Sequence, residues 1–189
     1  MSIKRYSNII GFDDSPFAPD HRGVVAIIGA VFASLRFDGV LVGEIEKDGY
    51  DSAEVLRKLV SESKFAEHVQ LIMLQGIAFG GFNVVDVFQL HEALKLPVLV
   101  VSRRSPDMEA IRNALTTQIP DGKKKWSVID RLGPMEAVRN AYVQRVGISL
   151  EEAESVIERF AVHGHIPEPI RVSHLIAGAL VDGESRGAP

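Results

Sequence analysis

Residues Leu71 to Arg104, LIMLQGIAFGGFNVVDVFQLHEALKLPVLVVSRR, decide the fold, because they read as a complete strand, helix, strand unit. Leu71 to Leu74 is an apolar run that stops at Gln75-Gly76, and Pro97 to Val101 is a second that stops at Ser102-Arg103-Arg104. Short continuous apolar runs suit strands buried on both faces. Between them Asn83, Val87, Leu90 and Leu94 recur at helical spacing while Asp86, Gln89 and Glu92 fall outside that stripe, which predicts a helix opened and capped by Asn83. So short a connection gives a right-handed parallel crossover. Ligands of such sheets gather outside the carboxyl ends of the strands, so Gln75, Gly76 and Arg103 become candidates by position.

On the N-terminal side, Asn8 to Phe12 is a short strand that runs into Asp13-Asp14-Ser15. Val24 to Phe32 and Val40 to Ile45 read as further strands, with Phe37-Asp38-Gly39 as the turn signal between them, giving an antiparallel meander. A helix is predicted from about Asp51, with Leu56, Leu59 and Val60 as its apolar face and Glu54 completing a capping-box-like pair with Asp51. On the C-terminal side, Ser105-Pro106-Asp107 predicts a helix capped by Ser105, with Met108, Ile111 and Leu115 buried. Gln118 to Lys125 reads as an exposed loop, Pro134 to Ala141 as a short helix, and Trp126 to Asp130 and Ala141 to Val146 admit either element. Ser149 and Glu152 form a capping box ahead of Ala153, Val156, Ile157 and Phe160. Pro169 opens a last helix, and Gly183 to Pro189 reads as a frayed tail.

A chain of 189 residues is most simply one domain, here a core over about 6–118 and a C-terminal helical part over about 126–182. The net charge of -4 exerts no global pull toward nucleic acid or anionic membrane. Cysteine is absent, which removes disulfides, thiol nucleophiles and thiolate metal sites and makes a reducing cytoplasm the expected compartment. No apolar run reaches membrane-spanning length, so no membrane association is expected.

Three antiparallel strands, a helix, then parallel strands alternating with helices is the element order of the ribonuclease H-like α/β fold, a mixed sheet with helices on both faces. Placing the first strand beside the fourth and parallel to it would set Asp13 next to Gln75 at one sheet edge. Asp13 and Asp14, adjacent in an extended segment, would face opposite ways. An aspartate at that edge suits a hard divalent cation, which takes one or two carboxylates together with phosphate oxygens.

The segments IIGFDDSPF, EIEKDGYDSAE, MLQGIAFGGFNVVDV, LPVLVVSRRSP and HIPEPIRVSHLIAGAL resemble a largely archaeal family of unknown function with an endonuclease V-like fold, over nearly the whole chain. The resemblance implies magnesium- or manganese-dependent cleavage of nucleic acid near deaminated bases. It places the first catalytic aspartate on Asp13 and the third on Gln75, with a basic residue near Arg103. The intervening glutamate has no clear match, Asp51 or Glu44 being the nearest acidic residues. Gln75 departs from the pattern, since an amide oxygen is a neutral, weaker ligand than a carboxylate and two-metal chemistry needs bridging negative charge.

The expectation is therefore an endonuclease V-like protein that acts on or binds nucleic acid or nucleotide phosphates with Mg2+ or Mn2+. Asp13, Asp51 and Gln75 are the catalytic candidates; Asp13, Asp14 and Asp51 are the metal candidates; Gly76, Phe79, Arg103, Arg104, Arg171 and His174 are the substrate contacts. Arg171 and His174 share one helical face and could reach the site together. A catalytically inactive nucleic-acid-binding or protein-interaction module on the same scaffold is the alternative.

Overall fold

The computed structural model describes residues 5–185, so the last four residues of the expected tail lie outside it. Strands β1 (Asn8–Asp14), β2 (Val24–Ala33) and β3 (Arg36–Glu46) form the antiparallel meander. Its tight turn is Ser34-Leu35, not Phe37-Asp38-Gly39, which lies inside β3. A two-residue hairpin loop needs a positive φ, supplied here by Ser34 at 54°. Gly39 is small for another reason: a Cβ there would come within 2.6 Å of the Phe65 ring.

Helix α1 (Ser52–Ser61) leads to β4 (Leu71–Gln75), which pairs parallel with β1 in the register Phe12 to Leu74. A hairpin of β5 (Ala78–Phe79) and β6 (Asn83–Val84) follows, then α2 (Val87–Leu94) and β7 (Val98–Ser102), parallel to β4. Asn83 is therefore a buried strand residue and not a helix cap; Asp86 caps α2, accepting from the amides of Phe88 and Gln89 at 3.1 and 2.9 Å. Likewise α3 (Met108–Gln118) is capped by Asp107, not Ser105, through the Ala110 amide at 2.9 Å.

The expected loop at 118–125 shrinks to the connection 119–121 between the end of α3 and α4 (Gly122–Leu132). Lys125 is buried there, its Nζ donating to the Asp48 carbonyl at 2.5 Å and standing 4.2 Å from the centre of the Tyr50 ring. A lysine run read as solvated thus contributes an interior anchor, because its aliphatic stem packs while its charge finds a carbonyl and a ring face. The supposed helix at 134–141 is instead strand β8 (Glu136–Val138), paired with β9 (Ala141–Val146), so the C-terminal part is not wholly helical. Helices α5 (Leu150–Phe160), with the expected Ser149/Glu152 capping box, and α6 (Glu168–Asp182) complete the chain.

The main sheet has the order β3-β2-β1-β4-β7-β9-β8. Alternation sorts its side chains between two cores. Ile9, Leu71, Met73, Leu99 and Val101 face α5 and α6, whereas Ile10, Phe12, Ile72, Leu74, Val98 and Val100 face α1 and α2. A third, smaller core lies under the β5–β6 hairpin, α3 and α4.

Candidate functional site at the ends of the parallel strands

The register that sets Phe12 beside Leu74 puts Asp13 beside Gln75 at the ends of β1 and β4, the adjacency the element order implied. By strand parity Asp13 follows Ile9, and Gln75 follows Leu71 and Met73, onto the α6 face; Asp14 follows Ile10 and Phe12 onto the other. Helix α6 meets β1 at Gly11, where a Cβ would stand 2.4 Å from the Pro169 carbonyl carbon. That close approach lays the next turn of α6 over Asp13, and His174 Nδ1 lies 2.8 Å from Asp13 Oδ2.

Asp13 is 4% exposed and its second oxygen, Oδ1, accepts from the Asp14 amide at 2.9 Å. A carboxylate acceptor fixes the histidine proton on Nδ1, which leaves Nε2 as the atom able to exchange a proton or meet a ligand. The hydrogen bond to Asp13 holds the His174 pKa above its ordinary value, with burial opposing and the charges of Asp13 and Asp14 adding. Gln75 Oε1 is buried with no hydrogen-bond partner among the described residues. Such an atom is uncompensated unless something outside the described residues meets it.

Asp14 turns the other way and accepts from the Gly80 amide at 2.6 Å, tying β1 to the turn of the β5–β6 hairpin. Burial pushes its carboxyl up to about 6, with the Gly80 hydrogen bond opposing and the neighbouring Asp13 adding. Asp51 does not cap α1 with its side chain; its carboxylate accepts from Asn83 Nδ2 at 2.6 Å and from the Glu46 amide at 3.2 Å. Asn83 completes that knot by donating to the Glu46 carbonyl at 2.8 Å and accepting from the Ser52 amide at 3.2 Å. Asp14 thus remains an electrostatic and hydrogen-bonding neighbour of the Asp13 carboxyl while anchored on Gly80, whereas Asp51 is tied into the separate knot with Asn83 and the Glu46 amide.

Phe79 is fully buried against the α1 and α2 core, where it has no surface to offer a substrate. Gly76, at φ 76°, turns the chain out of β4. Arg103 and Arg104 stand exposed past β7 with no salt bridge among the described residues, whereas Arg171 is held by Glu168 through two contacts at 2.7 and 2.8 Å. No group of three or more histidine, aspartate or glutamate side chains suited to a metal occurs among the described residues. What could suit a hard cation is the Asp13 carboxylate, with the interacting Asp14 carboxyl next to it in sequence and the orphaned amide oxygen of Gln75 on the adjacent strand.

Beside this edge lies a cavity of about 260 Å³, lined by Gly76 and Ile77 and by the apolar side chains Phe82, Met108, Ile111 and Met135 among others. Sequence reading did not find it, since α4 and β9, which form part of its wall, were the least legible elements. Gln144 belongs to that wall and had no signal beyond its place in an ambiguous strand.

A mixed sheet in this strand order, with an aspartate ending β1 beside the parallel β4 and helices on both faces, defines an endonuclease V-like fold. The chain belongs to the endonuclease dU family, whose profile matches residues 5–181. A UPF0215 protein of Deinococcus radiodurans is 48% identical over 183 residues, spanning 97% of this chain and 93% of that one. The crystal structure of an Archaeoglobus fulgidus protein of unknown function superposes with a TM-score of 0.86 at 34% identity, covering 93% of this chain and 98% of that one. Endonuclease V of Ciona intestinalis, solved with DNA containing an inosine, shares the fold at a TM-score of 0.56 and 14% identity, covering 89% and 83% of the two chains. No helix among the described residues is long and apolar enough to cross a membrane.

Proposed function

We propose that the protein is an endonuclease V-like phosphodiesterase acting on nucleic acid that carries deoxyuridine, with Asp13, Gln75 and His174 at the reacting phosphate and the adjacent cavity receiving the base. The observation that carries this reading is the 2.8 Å contact between Asp13 and His174, side chains 161 residues apart, beside an unpartnered buried oxygen at the ends of parallel strands. The family's name supplies the base, and the endonuclease V complex with inosine-containing DNA supports a nucleic-acid partner.

Each residue has a definable task. Asp13 orients His174, and His174 Nε2 holds or accepts a proton at the leaving or attacking oxygen. Because Asp13 raises its pKa, more of His174 is cationic at a given pH than of an ordinary histidine, which suits proton donation and attraction to phosphate. Arg103 and Arg104, exposed and without a salt bridge among the described residues, contact the backbone phosphates. Asp13 and Gln75 Oε1 would hold Mg2+ or Mn2+, which supplies Lewis-acid polarisation of a phosphoryl oxygen. The cavity receives a base taken out of the stack, as an enzyme acting beside one particular base requires.

Cleavage of oligonucleotides bearing a single deoxyuridine, in magnesium or manganese, tests the proposal. Wild-type cleavage abolished in Asp13→Asn and reduced about 100-fold or more in His174→Ala is expected. A wild-type protein that neither cleaves such strands nor prefers them to unmodified ones would overturn it. A non-cleaving binding module is the second reading, favoured by the neutral amide of Gln75 where endonuclease V has an aspartate. Selective binding without cleavage, with cleavage gained in Gln75→Asp, would support that reading instead.

A further inference from the structure

We infer that Gln144 is the residue that distinguishes uracil from cytosine, by presenting the carbonyl oxygen of its side chain to a ring N–H; this deepens the proposed base site and rests on it. Gln144 lies on β9 opposite Val100 of β7, in the wall of the cavity beside Gly76. It is 2% exposed. Its Nε2 donates to the Gly133 carbonyl, the C-cap of α4, at 2.5 Å. A carbonyl can only accept, so this contact fixes the amide orientation and leaves Oε1 as the free end. Oε1 is buried and has no partner among the described residues.

Among the described residues, that oxygen is the cavity's one buried side-chain acceptor with no hydrogen bond. Ser102 is the other polar side chain in the wall, and its hydroxyl already donates to the Arg104 carbonyl at 2.6 Å. All remaining lining side chains are apolar or are glycines. An apolar slot with a single fixed acceptor takes a planar group that carries one donor at its edge. Uracil, with N3–H on its pairing edge, meets that description, as does thymine, so the acceptor separates these bases from cytosine. Cytosine in the same pose turns a ring-nitrogen lone pair toward Oε1, and two acceptors repel. The discrimination follows from an unpaired buried acceptor, the strongest kind of selectivity a binding site obtains from one hydrogen bond.

The experiment measures binding of fluorescein-labelled single-stranded oligonucleotides by anisotropy in chelator, so that no turnover is needed. Four strands differ at one position: deoxyuridine, N3-methyldeoxyuridine, deoxycytidine and an abasic site. Wild type is expected to bind the deoxyuridine strand about tenfold more tightly than the N3-methyl and deoxycytidine strands. Gln144→Met, which keeps the length of the side chain and loses the acceptor, should reduce that ratio to about one; its thermal unfolding shows whether it is folded. Discrimination retained in the folded variant, or no discrimination by wild type between deoxyuridine and its N3-methyl form, overturns the role of Gln144. Equal wild-type affinity for the deoxyuridine and abasic strands would instead overturn the base site itself, so the two failures are separable.

Discussion

Replacing Gly11 by alanine should disconnect α6 from β1 and, with it, His174 from Asp13. The new Cβ would stand 2.4 Å from the Pro169 carbonyl carbon, 2.6 Å from its oxygen and 2.7 Å from the Ile170 nitrogen. All three are backbone atoms of the first turn of α6, so no side chain can rotate out of the way. Ordinary contact begins at 3.4 Å, so the helix must retreat by about 1 Å. A retreat of that size stretches the 2.8 Å contact between His174 and Asp13 to roughly 3.8 Å, beyond hydrogen-bonding range. Overpacking of this kind costs about 1–3 kcal/mol, and the lost hydrogen bond about 1 kcal/mol more. For a chain of this length that lowers Tm by roughly 5–15 °C. Urea unfolding measures the stability, and the imidazole resonances followed by NMR against pH measure the site. His174 should titrate lower than in wild type, back toward its ordinary 6.5, because it has lost the carboxylate that favours its cation. A Gly11→Ala protein with wild-type stability and an unchanged His174 titration would refute the packing argument.

Other perturbations read separate parts of the structure. Since the Asp14 carboxyl is pushed up to about 6 from 3.8, the unfolded chain releases this proton first, and the group's contribution makes stability fall as pH rises between about 4 and 6, by up to about 3 kcal/mol; urea unfolding of Asp14→Asn across that range should show a shallower slope, and an identical slope would count against it. The raised pKa of His174 acts with the same sign over a higher window: its stabilisation is complete below about 6.5 and is lost as pH climbs through the folded value, so in the same urea assay His174→Gln should lose stability mainly on the acidic side, and an equal loss at all pH values would contradict this. Phe79→Ala should cost about 3–5 kcal/mol in thermal or chemical unfolding, as a core truncation does, and a near-neutral result would return Phe79 to the surface. Asn83→Ala removes the amide that ties β3, α1 and β6 together and should cost about 1–3 kcal/mol, read by the same assay.

Much of this protein is legible from its residues alone, wherever an element's character depends on neighbours close in sequence. The apolar runs at Leu71–Leu74 and Pro97–Val101 declare buried strands, the Ser149/Glu152 pair declares a helix start, and a period of two separates Asp13 from Asp14 before any coordinates are known. The crossover rule makes β4 and β7 parallel, and the ribonuclease H-like element order sets β1 beside β4, and with it Asp13 beside Gln75. Polar residues were misread where their partners are remote. Asp51 with Glu54 has the form of a cap, yet its carboxylate is claimed by Asn83, 32 residues on. Lys125 belongs to a run that reads as solvent-exposed until the Asp48 carbonyl and the Tyr50 ring receive it. The closure of α6 onto Gly11, which brings His174 to Asp13, and the buried free oxygen of Gln144 exist only in the folded chain. Hydrophobic periodicity is a local property and survives in one dimension; the pairing of a buried polar atom depends on which distant donor or acceptor the fold delivers to it, and so is settled only in three.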